Sequence, residues 1–155
     1  MILETTKDDY ARLMLGLGPR DLALADTPIA PPAIIQMLAG VANGVWATFS
    51  PASWLIVESG EVVGLCSVTR PPEHGVVDIG YGVAPSRQGR GCAGRAVSDI
   101  VAWAKGRADV TALTAETSTT NQASQAVLSR NGFVQMGERL DEEDGPLISW
   151  RCATA

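Results

Sequence analysis

The segment Ala84-Pro85-Ser86-Arg87-Gln88-Gly89-Arg90-Gly91-Cys92-Ala93-Gly94 holds the densest chemical signal in the chain. Its glycines let backbone N–H groups converge on one point, and a helix starting there adds the positive end of its dipole. Arg87, Arg90 and Arg95 bring positive charge to a chain that is otherwise acidic. That combination suits a phosphate or pyrophosphate; the alternative is a tight turn whose glycines only permit close packing. Cys92 lies inside the segment. The one histidine, His74, sits in the distant Pro71-Pro72-Glu73-His74-Gly75 loop, so no Cys–His nucleophilic pair is evident. Cys92 is expected to contribute only its backbone N–H. A second charged feature, Asp141-Glu142-Glu143-Asp144, reads as a solvated loop, with an electrostatic funnel for a cationic amine as the sharper alternative.

The elements that must position this loop are legible in the periodicities. Met1–Thr6 reads as a strand, and Asp9–Gly16 as a short helix carrying Leu13 and Leu17 inward. A short helix follows Pro32, with Ile34, Ile35, Met37, Leu38 and Val41 on one face, read as core with a substrate wall as the alternative. Asn43-Gly44 reads as a turn. Trp54–Val57 and Val62–Thr69 are strands joined by a Ser59-Gly60 turn, and Val76–Val83 is a third, giving an antiparallel meander. Ala93, Ala96, Val97, Ile100, Val101 and Ala104 then recur on a helical period that Gly106 closes. Val110–Glu116 is a strand, expected to lie parallel to Val76–Val83 after the crossover. Gln122–Arg130 is a helix ended by Asn131-Gly132, and Leu147–Cys152 a last strand. The fold class is α+β (mixed α/β) in one domain, mostly antiparallel. Trp46 and Trp54 read as core, with the acceptor side as the alternative.

Two cofactor classes fit the glycines. Gly89-x-Gly91-x-x-Gly94 matches the dinucleotide fingerprint, and Asp109 and Glu116 lie near the offset of a ribose-binding acid. A nucleotide-dependent oxidoreductase is therefore an alternative. The context opposes it, because Ala84-Pro85-Ser86-Arg87-Gln88 intervenes between strand and glycines, and the chain left after Gly94 is too short for the remaining βα units. Read from Gln88, the same loop is Gln88-x-x-Gly91-x-Ala93. This resembles the pyrophosphate motif of the GCN5-related N-acetyltransferases, the acetyl-CoA-dependent GNAT superfamily. Asn121-Gln122-Ala123-Ser124 and Arg130-Asn131-Gly132-Phe133 extend the resemblance to the branch containing ribosomal-protein N-terminal acetyltransferases. The match spans Trp54 to Cys152. Residues 53–152 would be the acetyl-CoA-binding core, and residues 1–52 a variable acceptor-side part.

The resemblance implies roles. The backbone of Tyr81, Gly82 and Val83 would hold the pantetheine arm and polarise the thioester where two strands splay. Gln88, Gly89, Arg90, Gly91, Cys92, Ala93 and Gly94 would seat the pyrophosphate. Asn121 would bond the pantetheine arm, or be a helix N-cap, or both. Glu116 matches a general-base glutamate of some members; the plainer reading is a solvated strand-end acid. Many members place a thiolate-protonating tyrosine where this chain has Leu128, so Ser124 is the substitute candidate. The acceptor would be a primary amine attacking in a ternary complex. A catalytically silent acyl-CoA-binding module is the alternative that Leu128 suggests.

Composition bounds the rest. Lysine plus arginine total 12 against 17 acids, a net charge of −5, which opposes general nucleic-acid binding. The three cysteines, Cys66, Cys92 and Cys152, form no CxxC pair, and one histidine supports no multi-histidine site, so no metal is expected. Prolines 28, 31, 32 and 51 break the uncharged Thr27–Val57 stretch, so no membrane span is expected. The acidic start, with Glu4, Asp8 and Asp9, is unlike an export signal, so a cytoplasmic location is expected. A homodimer is left open.

Overall fold

The computed structural model describes residues 1–155. In chain order the elements are β1 (Ile2–Glu4), α1 (Lys7–Met14), β2 (Ala23–Leu24), α2 (Pro32–Trp46), β3 (Ser53–Glu58), β4 (Glu61–Val68) and β5 (Val76–Val83). They continue as α3 (Cys92–Lys105), β6 (Ala112–Ser118), α4 (Gln122–Arg130), β7 (Val134–Asp141) and β8 (Gly145–Ala153). The strands form one sheet in the order β1-β3-β4-β5-β6-β8-β7, with β2 added beside β4. All neighbours are antiparallel except β5–β6 and the short β2–β4 pair. This is the expected α+β class.

The β3–β4–β5 meander forms from two near-continuous apolar runs, buried on both faces, and the alternating β5. Ser59 and Gly60 both take positive φ, 51° and 75°, which twists the hairpin turn to match its strands. β5 and β6 then pair in parallel from Val76↔Ala112 to Ile79↔Ala115, and there the pairing stops. Beyond that point β5 stays bonded to β4 as far as Val83↔Gly64, while β6 stays bonded to β8 as far as Ser118↔Leu147. The two strands therefore splay.

Side chains alternate across a sheet, so the register sorts the two faces. Trp54, Cys66 and Tyr81 share one face. There Trp54 meets Trp103 of α3 edge-on at 5.0 Å, and the Tyr81 hydroxyl donates to the Ser124 carbonyl of α4. Ser53, Ser67 and Gly80 share the other face, against α1 and α2. The Tyr10 hydroxyl of α1 meets Ser53 Oγ there at 2.6 Å. The core runs through the sheet, with Leu55, Val77, Val97, Ile100, Leu113 and Leu128 all fully enclosed.

Several expectations need correction. α1 stops at Met14, ahead of Gly16 at φ 71°, which leaves Leu17 exposed rather than inward. Asn43-Gly44 makes no turn, because α2 runs through it to Trp46, pinned by buried Ala42 and Val45. On α2 only Ile35 of the expected apolar face is fully buried, while Ile34 and Met37 are exposed. β6 starts at Ala112, two residues later than expected, and continues to Ser118. At the end of α4 the left-handed residue is Gly132 (φ 84°) alone. β7 is a strand that the sequence pattern does not announce; it lies at the sheet edge, exposed at every position before Asp141. The acidic run is its hairpin turn into β8, with Asp141 accepting from the Glu143 and Asp144 amides. Trp54 is core as expected, and Trp46 packs edge-on against Tyr10. No helix is long and apolar enough to cross a membrane.

Gly64 is what lets the end of β5 come so close to β4. A Cβ there would lie 2.3 Å from the Gly82 carbonyl oxygen and 3.2 Å from Val83 Cα. We predict that Gly64→Ala destabilises the protein by about 1–3 kcal/mol, the usual cost of overpacking, measured by urea unfolding.

Candidate active site

The splay opens a cleft of about 540 Å³ on the α3–α4 face. Tyr81, Gly82 and Val83 line one side, the loop from Arg87 to Gly94 closes one end, and α4 from Asn121 to Arg130 lines the other side. Apart from Arg90, every residue expected to bind a cofactor borders this cleft. Gly89 and Gly91 take φ 76° and 79°, a region that most side chains enter only with strain, so the turn favours glycine at both. Gly91 is the N-cap of α3, and the first-turn N–H groups of the helix have no intrahelical partner. Gln88 ties the loop back, its side-chain amide donating to the Val83 carbonyl at 3.0 Å.

The arginines are placed differently from the expectation. Arg87 is clamped by Glu61 at 2.6 Å and by Asp26 at 3.1 Å. Arg95 pairs with Glu58 at 2.6 Å and donates to the Arg90 carbonyl. Both therefore hold the loop in shape, with much of their charge already answered by acids. Arg90 is exposed and makes no ion pair, and Arg130, missed from sequence, borders the cleft unpaired. Its signal was its place at the end of α4, directly before Asn131-Gly132.

On α4 the Asn121 side-chain oxygen caps the helix by accepting from the Ser124 amide at 3.1 Å. Its side-chain nitrogen has no partner within the chain and borders the cleft, so capping and ligand contact are compatible. Ser124 borders the same cleft. The Tyr81 phenol reaches its carbonyl at 3.4 Å, and burial pushes that phenol up, so it stays protonated. Leu128 is fully buried and presents no polar group to the cleft. Cys92 is buried at the first position of α3, where its Sγ meets the Arg95 guanidinium at 3.8 Å.

Glu116 does not border this cleft. It lies on the opposite face of the sheet, bound bidentately by Arg139 at 2.5 and 2.8 Å. The Arg139 guanidinium holds its carboxyl below the usual range, which counts against the proton-accepting role. It borders a second cavity of about 490 Å³ with Arg70, Asp78, Thr114, Arg139 and Arg151. Asp78, also missed from sequence, is buried there and accepts from Thr69 Oγ1 and Thr114 Oγ1. Next to it on the same face runs a groove of about 370 Å³ between α2 and the sheet. Tyr81 and Gly82 border both this groove and the cleft on the far side.

Residues 5–134 match the model of the acetyltransferase (GNAT) domain. The chain belongs to the GNAT acetyltransferase family. A curated relative, the uncharacterized N-acetyltransferase YjdG of Bacillus subtilis, is 32% identical over 85 residues, which is 53% of this chain and 51% of that one. The chain thus spans about half the length of the curated relative it matches. Solved GNAT structures share the fold. RimL, a ribosomal protein α-N-acetyltransferase in complex with coenzyme A, superposes with a TM-score of 0.72 at 18% identity, covering 98% of this chain and 92% of that one. The spermidine N-acetyltransferase SpeG of Vibrio cholerae gives 0.71 at 13% identity, with 99% and 95% covered. The aminoglycoside acetyltransferase AAC(6')-Ib, in complex with ribostamycin and coenzyme A, gives 0.69 at 17% identity, with 99% and 92% covered.

Two outcomes test this geometry within the GNAT fold. Leu128→Ala should destabilise the protein by about 2–5 kcal/mol, the cost of a buried cavity, measured by urea unfolding. Arg139→Leu should raise the Glu116 pKa toward the ordinary carboxylate value, read by NMR titration. The sign for stability follows. Because the folded pKa of Glu116 is depressed, its contribution is present above the unfolded value of ~4.3 and is lost as pH falls through the folded one. That acid-limb loss should shrink in Arg139→Leu and at high salt.

Proposed function

We propose that this chain is an N-acetyltransferase that moves the acetyl group of acetyl-CoA to a primary amine by direct attack in a ternary complex. The observation that carries the reading is the shared border at Tyr81 and Gly82, where a cleft on one face of the sheet meets a groove on the other. Glycine at 80 and 82 leaves the groove floor as bare backbone, and a Cβ at Gly82 would meet no heavy atom within 4 Å. Donor and acceptor can therefore approach one another through the splay.

In this reading the pyrophosphate rests on the N–H groups from Gly89 to Gly94, and the pantetheine arm pairs with the unpartnered edge of Tyr81–Val83 and with Asn121. A neutral amine attacks the thioester carbonyl carbon, the C–S bond breaks, and coenzyme A leaves as thiolate. An α-amine of pKa ~8 is neutral in about one molecule in ten at pH 7, against one in a few thousand for a lysine-like amine. Glu116, held as a carboxylate by Arg139, is a weak base, so the ammonium proton passes to water. A thiol has a pKa of ~8.5, so the thiolate leaves readily and near neutral pH is then protonated by water, directly or relayed through the Ser124 hydroxyl. Positioning carries most of the rate. Residues 53–152 form the donor half and residues 1–52 the acceptor side, with the cytoplasm as the place of action.

Gly91→Asp tests the donor seat. Asp tolerates the left-handed backbone better than most residues, and its Cβ would meet only the movable end of Arg95, at 2.8 Å. Acetyl-CoA affinity in calorimetry should fall at least about tenfold, roughly 1.4 kcal/mol, with the variant folded. Unchanged affinity overturns the seat. Glu116→Gln tests the proton route. We expect kcat/KM to change less than ~10-fold, whereas loss of a general base costs ~10²–10⁴-fold.

A further inference from the structure

The face of the sheet opposite the proposed donor cleft says what kind of amine fits, and this step rests on the acetyl-transfer reading above. Next to Tyr81 and Gly82 the groove wall is apolar: Ile34, Met37, Leu38 and Val41 of α2, with Ile29 before them. Ile34 and Met37 are 41% and 55% exposed, large apolar side chains left uncovered on the inner wall of a cavity. The floor is uncharged, with Leu65, Ser67 and Thr69 beside the bare backbone of Gly80 and Gly82. No acid lines this groove. An acceptor carrying several positive charges finds nothing there to answer them.

Further along the same face the charge is of the opposite kind. Thr69 borders the groove and donates to Asp78, which borders the neighbouring cavity with Arg70, Arg139 and Arg151. Both acids of that cavity are already engaged. Asp78 accepts from two threonine hydroxyls and meets Arg70 at 3.4 Å, and Glu116 is clamped by Arg139. Arg151 makes no ion pair or side-chain hydrogen bond, and Arg70 is 65% exposed on a single long contact. The cavity therefore offers an incoming anion one unpaired cation, Arg151, and the exposed, loosely paired Arg70, and no free carboxylate to a cation.

We propose that the acceptor is a peptide-like α-amine followed by an apolar side chain, with a carboxylate two or three residues further on that is received by Arg151 and Arg70. The spacing follows from the strand. Gly82 and Asp78 are four residues apart on β5, about 13 Å at the strand rise. An extended peptide covers ~3.3–3.6 Å per residue, and the arginine side chains reach back over part of that distance. The amine then lies at the splay, the apolar side chain on α2, and the carboxylate at the arginines.

The experiment uses the full chain, acetyl-CoA and release of the coenzyme A thiol. The acceptors are C-terminally amidated Leu-Ala-Glu, Leu-Ala-Gln and Leu-Ala-Lys, free Leu-Ala-Ala beside its amide, and spermidine. The glutamate peptide should exceed the lysine peptide in kcat/KM by about tenfold or more, with the gap closing at high salt. Arg151→Gln and, separately, Arg70→Gln should raise the KM of the glutamate peptide and narrow that gap, with the KM of acetyl-CoA unmoved. A gain confined to free Leu-Ala-Ala identifies the carboxylate as the C-terminus of a short peptide; a gain for the glutamate side chain identifies the N-terminus of a longer chain. Turnover that ignores charge, or favours the lysine peptide or spermidine, overturns this proposal and leaves acetyl transfer standing. Acetyl-CoA binding without thiol release for any amine overturns the transfer reading itself, and this proposal with it.

Discussion

Past Ile79 and Ala115, β5 and β6 no longer pair with each other, and each keeps only its outer neighbour. β4 holds β5 through to Val83, and β8 holds β6 through to Ser118. Two antiparallel ladders thus run on after the parallel one has ended, and the strands part between them. A strand edge in the middle of a sheet is left with unsatisfied backbone groups, and such an edge can accept an extended ligand as a further strand. Both cavities that meet at Tyr81 and Gly82 exist because of this edge. Gly64 sharpens it, since the absence of a side chain there is what lets the Gly82 carbonyl lie so close to β4.

The two sides of the opening differ in electrostatics. On the α3–α4 side the loop arginines Arg87 and Arg95 are anchored to Glu61, Asp26 and Glu58, so their charge stiffens the loop. An anion placed there would meet chiefly the first N–H groups of α3, which follow the left-handed Gly89 and Gly91. On the other side an apolar wall gives way to an arginine-bearing cavity whose acids are spent on internal pairs. The negative charge of the chain as a whole does not describe either site. Of the acids at the β7–β8 turn, Asp141 pairs with Arg139 at 3.2 Å beside that arginine-bearing cavity, while Glu142, Glu143 and Asp144 are exposed.

Leu128 and Glu116 illustrate how the same motif positions can change their physical role. Leu128 has become core, fully enclosed beneath α4, and its burial supports the helix that carries Asn121 and Ser124. Glu116 has become half of a bidentate pair that fastens the β7 edge strand to the middle of the sheet. Each works by holding the frame in which the cleft lies.

Local signals were enough for much of this. α3 and α4 were legible because one apolar face, a closing glycine and an N-capping asparagine are all written within a turn or two of chain. The meander was legible because short apolar runs flank the Ser59-Gly60 turn, a local hairpin signal. The glycine loop was legible as a tight turn into α3 because left-handed backbone needs few partners. Contacts distant in sequence were not legible. Arg139 reaches Glu116 across 23 positions, and nothing near either residue announces the pair. β7 was illegible because an edge strand exposed on both sides carries no alternation, and its bulge near Met136 breaks the register. Periodicity placed Ile34 and Met37 on an apolar face, but only the packing of α2 across the sheet left them lining an open groove. A period reports which residues share a face, whereas what covers that face is decided by elements brought from elsewhere in the chain.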